Sequence, residues 1–154
     1  MNKKLIAGLS ALALLAALGL TFTLTGQASS PKVVVYKSPT CGCCSKWVDH
    51  MRAQGFEVET HDVQDVTPIK QRFSVAPRLA SCHTALVDGY VIEGHVPAAQ
   101  VKQLLADRPD VRGLAVPGMP MGSPGMEGAY SEAYDVLTFD AQGRTTVFAH
   151  IPAR

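Results

Sequence analysis

The chain has 154 residues, of which 47% are hydrophobic and 18% charged, the size and composition of one globular domain rather than of a disordered protein or a coiled coil. Its formal net charge is +1, so it lacks the strongly basic character that nucleic-acid binding normally requires. We therefore expect no nucleic-acid partner.

The first 28 residues have the layout of a secretory signal peptide. Lys3 and Lys4 precede an uncharged apolar segment at 5–24, and small residues stand at Gly26 and Ala28. Cleavage there would leave 29–154 as a single exported domain with 12 basic residues (14 less these two lysines) against 13 acidic ones. The alternative is an uncleaved anchor, because about 20 apolar residues can span a bilayer.

The exported part opens with a β-α-β pattern. Residues Val33–Tyr36 are β-branched or aromatic and predict a buried strand, and Ser45–Gln54 has helical spacing that stops at Gly55. Phe56–His61 alternates apolar and polar residues, which predicts a second strand, and Pro68–Phe73 predicts a short helix.

A hairpin and a helix come next. Ala85–Val87 and Tyr90–Ile92 flank Asp88-Gly89, a pair that supplies the positive φ values of a tight turn. Pro97–Ala106 has the apolar spacing of a helix that ends before Pro109. The order predicts an α/β, thioredoxin-like fold, in which helices flank a mixed sheet.

The C-terminal part predicts an addition to that fold. Val116–Gly128 is rich in glycine and proline and has no apolar periodicity, which is typical of a constrained loop. Val136–Phe139 and Thr145–Ile151, joined by a turn at 140–143, predict a second hairpin.

Three of the four cysteines, Cys41, Cys43 and Cys44, lie where the first strand gives way to the first helix. The N–H groups and the dipole at a helix N-terminus favour thiolate, which attacks disulfides and binds soft metals. Disulfides among these three would close loops too small to constrain much of the chain. Cys41 and Cys44 have the Cys-x-x-Cys spacing of redox exchange, whereas the third thiol, Cys43, favours a soft-metal site.

The fourth cysteine precedes the hairpin strand, as Cys82-His83-Thr84. In thioredoxin-like folds this position packs against the Cys-x-x-Cys turn. We therefore expect Cys82 and His83 to face the first three cysteines and to add a thiolate and an imidazole to the same site.

Methionines Met119, Met121 and Met126 lie in the predicted loop without helical spacing. Thioethers are good ligands for Cu(I) and poor ones for hard ions, so copper is the predicted metal and zinc the weaker alternative. The remaining candidates are expected to have structural or surface roles. Met51 is predicted to lie in the core, and the other histidines are predicted to be exposed or locally hydrogen-bonded: His50, His61, His95 and His150.

The export signal, Cys41-Gly42-Cys43-Cys44, Cys82-His83-Thr84 and the segment 115–127 together resemble the CopG-type family, small exported bacterial proteins associated with copper resistance and long described as a domain of unknown function. The resemblance covers about Val33 to Pro152. It implies a thioredoxin-like fold and a redox-active periplasmic copper site that holds more than one ion. The ligands that it implies are Cys41, Cys43, Cys44 and Cys82, followed by His83, Met119, Met126 and Met121.

We therefore expect a periplasmic copper-resistance protein that holds Cu(I), interconverts Cu(I) and Cu(II) if it is an enzyme, and works with other periplasmic copper-resistance proteins. Two alternatives stay open: a thiol-disulfide oxidoreductase that uses Cys41 and Cys44, and a copper chaperone without a redox role. A membrane association is expected only if the signal segment is not cleaved.

Overall fold

The computed structural model describes residues 30–154. The predicted signal peptide, 1–28, lies outside the described residues. Between 30 and 154, no helix has both the length and the apolar character needed to cross a bilayer.

Seven strands and three α-helices make up the described part of the chain. The strands are β1 Lys32–Lys37, β2 Glu57–Asp62, β3 His83–Val87, β4 Tyr90–Glu93, β5 Gly113–Ala115, β6 Tyr134–Phe139 and β7 Thr145–Ile151. The helices are α1 Gly42–Ala53, α2 Thr67–Arg72 and α3 Ala98–Asp107, and a 3₁₀ turn spans Pro77–Leu79.

All seven strands belong to one mixed sheet in the order β2-β1-β3-β4-β5-β6-β7. β1 pairs with β2 and β4 with β5 in parallel, while the other neighbours are antiparallel. The predicted α/β class, with a β-α-β opening, a hairpin, a helix and an added C-terminal hairpin, is confirmed. The hairpin extends the same sheet instead of forming a separate unit.

The strand β5 and the 3₁₀ turn were not predicted. β5 has only three residues, too few for a periodic pattern, and it is a strand because it pairs with β4 on one side and β6 on the other. Gly113 fits this tight place because a Cβ there would lie 1.8 Å from the carbonyl oxygen of Val91. Pairing within the sheet, not local sequence, defines this strand.

Helix α1 buries Trp47, Val48 and Met51, and the prediction that Met51 belongs to the core is confirmed. The Trp47 indole donates a hydrogen bond of 2.9 Å to the carbonyl oxygen of Val96, between β4 and α3. This buried bond connects α1 to the segment that joins β4 to α3. It therefore holds the N-terminus of α1 beside the ends of the central strands.

Candidate metal centre

The first three cysteines occupy the N-terminus of α1. Cys41 is the N-cap residue, and its Sγ accepts a 3.3 Å hydrogen bond from the backbone N–H of Cys44. The helix begins at Gly42, three residues earlier than predicted, so Cys43 and Cys44 lie in its first turn. The cysteines are thus at the strand-to-helix junction, as predicted, and close to the positive end of the helix dipole.

Two of the four cysteines are joined and two are free. Cys41 and Cys44 form a disulfide with an S–S distance of 2.01 Å. Cys43 Sγ lies 3.4 Å from Cys41 Sγ and 3.9 Å from Cys82 Sγ. The predicted convergence of Cys82 on the first three cysteines is confirmed, since the four sulfurs all lie within 4.8 Å of one another.

Two histidines lie on the other side of Cys82. Nδ1 of His83 is 3.5 Å from the Cys82 sulfur, and Nε2 of His95 is 2.9 Å from it. Both imidazoles are fully buried. The three side chains form a second group with donor atoms within 4.8 Å, and it shares Cys82 with the four-cysteine group.

The prediction that His95 is an isolated residue, exposed or only locally bonded, is wrong. The hairpin register pairs Thr84 with Glu93, and the same register carried two residues further brings His95 opposite Cys82. The signal was present in the sequence, because a two-residue Asp88-Gly89 turn determines which residues of the two strands face each other. The other three histidines fit the expectation: His50 accepts the N–H of Ala98, His61 pairs with Glu59, and His150 pairs with Asp135.

The tautomer of His95 is held by the loop that follows β5. Nδ1 lies 2.7 Å from the carbonyl oxygen of Pro124, which can only accept, so this nitrogen carries the proton. Nε2 therefore presents a lone pair toward Cys82. A histidine whose second nitrogen donates to a backbone carbonyl is the usual arrangement of a metal ligand.

The second histidine, His83, lacks a partner for one nitrogen. Its ring packs on Trp47 with centroids 4.5 Å apart and meets the edge of His95 at 5.1 Å. Nε2 is buried, and among residues 30–154 it has no hydrogen-bond partner. An unpaired buried polar atom is costly, so a function for this imidazole is expected.

Burial governs the protonation of this group. It lowers the pKa of His83 well below its ordinary value, with further lowering by the charges of His95 and Lys70, and it lowers the pKa of His95. Burial, followed by the charge of Cys43, raises the pKa of Cys82 to about 12. The imidazoles are therefore neutral and able to ligate, while a metal at Cys82 must displace the thiol proton.

The loop 116–128 lies over the N-terminus of α1. Gly125 has a φ of +88°, and a Cβ there would lie 2.5 Å from the Cys43 carbonyl oxygen and 2.9 Å from the backbone nitrogen of Trp47. Only glycine fits such an approach without displacing the helix or the loop. The loop therefore contacts the backbone of α1 beside Cys43.

The predicted methionine ligands occupy different parts of this loop. Met126 follows Gly125 and is partly buried, whereas Met119 is 50% exposed. The methyl group of Met121 lies against Gly128. The structure brings the cysteines, His83 and His95 together, and a role for the three thioethers stays a prediction.

A buried carboxylate supports the segment that carries Cys82 and His83. Glu93 accepts hydrogen bonds from the backbone N–H of Ser81 at 2.6 Å and from the Thr84 hydroxyl at 2.7 Å, and it pairs with Lys70 at 2.5 Å. The two carboxylate oxygens of Glu93 thus hold Ser81 and Thr84, the residues on either side of Cys82-His83. Glu93 also lies two residues before His95 in the chain. Sequence reasoning found neither Lys70 nor Glu93.

The fold and the site define a mixed α/β protein with a candidate soft-metal centre of thiols and neutral imidazoles. Two solved structures are similar to the chain over most of its length. The copper resistance protein copG, form 2, is 43% identical over 80% of this chain and 99% of its own, with a TM-score of 0.76. Form 1 is also 43% identical, over 79% of this chain and 97% of its own, with a TM-score of 0.74.

The chain therefore belongs to the copper resistance protein CopG family. Residues 79–126, which include Cys82, both buried histidines and most of the loop, match the family described as protein of unknown function DUF411. The comparison with curated proteins gives no match.

Proposed function

We propose that this protein is a periplasmic copper-binding protein of copper resistance that holds Cu(I) in a multinuclear, redox-active site. The observation that carries the proposal is the convergence of Cys41, Cys43, Cys44 and Cys82 beside two buried imidazoles, in a chain 43% identical to copper resistance protein copG. The periplasmic location rests on the predicted signal peptide.

The donor chemistry favours copper over other ions. Thiolates select soft ions such as Cu(I), and each thiolate can bridge two ions, so four sulfurs within 4.8 Å can hold a cluster once the disulfide is reduced. Zinc accepts the same thiolates and imidazoles, and it stays the weaker alternative because it has little use for the methionine-bearing loop.

Mixed donors also support a redox role. Thiolates stabilise Cu(I), whereas neutral imidazoles such as those of His83 and His95 also suit Cu(II). A site with both kinds of ligand can keep its ion in either oxidation state. The proposed activity is interconversion of Cu(I) and Cu(II) for other copper-resistance proteins, in which one electron per ion passes to or from an external redox partner.

The test is the copper content and X-ray absorption spectrum of protein purified with copper under reducing, anaerobic conditions. We expect tightly bound copper with sulfur neighbours at thiolate distances, and a large loss of copper in Cys82→Ser. His150→Ala, which changes a surface histidine paired with Asp135, is the matched control and should retain the wild-type content. Wild-type protein without copper–sulfur scattering would refute the proposal.

The disulfide supports a second candidate, a thiol-disulfide oxidoreductase. Cys41 is partly exposed and Cys44 is fully buried, the arrangement of an attacking and a resolving thiol. A disulfide-reductase assay separates the two functions. Turnover that survives in Cys43→Ser and Cys82→Ser favours the oxidoreductase, because a Cys-x-x-Cys cycle needs neither residue.

A further inference from the structure

We infer that the disulfide form keeps a smaller metal site made of Cys82, His83 and His95, so that the Cys41–Cys44 disulfide sets how many copper ions the centre holds. The inference rests on the proposed function, because it concerns the capacity of the same centre in its two thiol oxidation states.

The disulfide removes two donors. A cysteine binds a metal as thiolate, and the sulfurs of Cys41 and Cys44 are bonded to each other instead. Reducing the bond takes two electrons and two protons from an external dithiol, which itself becomes a disulfide, and it yields two thiols. Metal ions then displace the thiol protons, so all four sulfurs become ligands only in the reduced form.

The remaining donors already lie at distances that one ion can bridge. Two ligand atoms of a single ion with bonds of about 2.0–2.3 Å lie roughly 3.3–4.0 Å apart. His83 Nδ1 is 3.5 Å from Cys82 Sγ, and the donor atoms of Cys82, His83 and His95 all lie within 4.8 Å of one another. His95 Nε2, at 2.9 Å, is at hydrogen-bond distance from the same sulfur and needs to move back by only some tenths of an ångström.

These donors are also held in place independently of the disulfide. The Pro124 carbonyl orients His95, and the buried Glu93 anchors Ser81 beside Cys82. The ring of His83 is positioned by its packing on Trp47 and against the edge of His95. A preorganised site loses less free energy on ordering its ligands, so binding by the disulfide form is expected.

The donor number limits the disulfide form to one ion. One thiolate and two imidazoles are enough ligands for one Cu(I), or for one Zn²⁺ that also binds a water molecule, and the one remaining thiol, that of Cys43, leaves a second ion with too few ligands. After reduction, the added thiolates of Cys41 and Cys44 can bridge further ions. The reduction of one bond thus changes a single-ion site into a cluster site.

The experiment counts the Cu(I) retained by the disulfide form and by the reduced form in anaerobic competition with a chromophoric Cu(I) chelator. The reduced form is made with a phosphine that is then removed, and peptide mapping after alkylation confirms the thiol state. We expect one Cu(I) per chain in the disulfide form and more than one in the reduced form. The double variant Cys41→Ser/Cys44→Ser should retain one ion whether or not reductant was added.

Each result distinguishes the inference from the proposed function. A disulfide form that retains no copper, or as much as the reduced form, overturns the inference but leaves the function standing if reduced protein binds copper. If neither form binds copper, the inference and the proposed function are both refuted. His95→Ala is the site variant and should lose copper in the disulfide form, whereas His61→Ala, at a surface pair with Glu59, should not.

Discussion

The buried pair of Lys70 and Glu93 gives the sharpest prediction about stability. The ammonium lies 2.5 Å from the carboxylate, and their side chains are 11% and 0% exposed. Lys70→Met removes the positive charge and leaves the carboxylate buried, with only the Ser81 N–H and the Thr84 hydroxyl as donors. Burial already raises the pKa of Glu93, so the loss of its counter-ion leaves a carboxylate that is costly to keep ionised.

The expected magnitude follows from the cost of leaving one charge of a buried pair without its partner. Lys70→Met should lower the free energy of unfolding by about 3–5 kcal/mol. In Lys70→Met/Glu93→Gln no charge is left, and the amide oxygen of glutamine can still accept from Ser81. Replacing both members of a buried pair is often nearly neutral, so the double variant should recover most of the loss.

The assay is urea unfolding of metal-free protein for the wild type, the two single variants and the double variant. The control is Lys37→Met, because its partner Asp62 is 54% exposed and stays hydrated, so the loss should be about 0–1 kcal/mol. The reasoning is refuted if the losses of unfolding free energy in the two single variants sum, to within about 0.5 kcal/mol, to the loss in the double variant. Residues that are not coupled behave in that way.

Three further predictions concern the centre and its supports. His95→Gln should weaken copper retention by at least about tenfold in chelator competition, because the loss of a well-oriented imidazole costs affinity. Gly125→Ala should lower the free energy of unfolding by about 1–3 kcal/mol in urea, since its φ is +88° and the new Cβ meets the Cys43 carbonyl. Met51→Ala should lower the free energy of unfolding by about 2–5 kcal/mol, because it leaves a cavity in the core, while the copper content stays at the wild-type value.

The outcomes that contradict these three predictions differ. Wild-type copper retention in His95→Gln would mean that this imidazole is not a ligand. An unchanged unfolding midpoint in Gly125→Ala would mean that the loop does not press on the helix. Loss of copper in Met51→Ala would mean that the centre responds to core stability in general, and the other variants would then need stability-matched comparisons.

Most elements of the fold could be predicted because their signals are local. The β-branched first strand, the Asp88-Gly89 hairpin and the glycine- and proline-rich loop 116–128 each carry their pattern within a few residues. β5 could not be predicted in this way, because three residues have no period of their own. It is a strand only through its neighbours in the sheet.

The candidate site shows the same division. The cysteine cluster and its soft-metal chemistry were readable from spacing, and the position of Cys82 followed from the predicted fold. His95 was missed because its side chain was judged alone, although the hairpin register places it opposite Cys82. Lys70 and Glu93 had no such signal, since their pairing joins α2 to the end of β4.

The sequence by itself determined which atoms are available: three thiols at a helix start, a fourth before a hairpin, and a loop that glycine and proline allow to bend. Tertiary structure decided which of these atoms meet and in what state. It buried His83 and His95 beside Cys82, and burial made both imidazoles neutral and raised the pKa of the thiol. Residue types are local properties of a chain, whereas distance, desolvation and hydrogen-bond partners exist only after distant segments pack together.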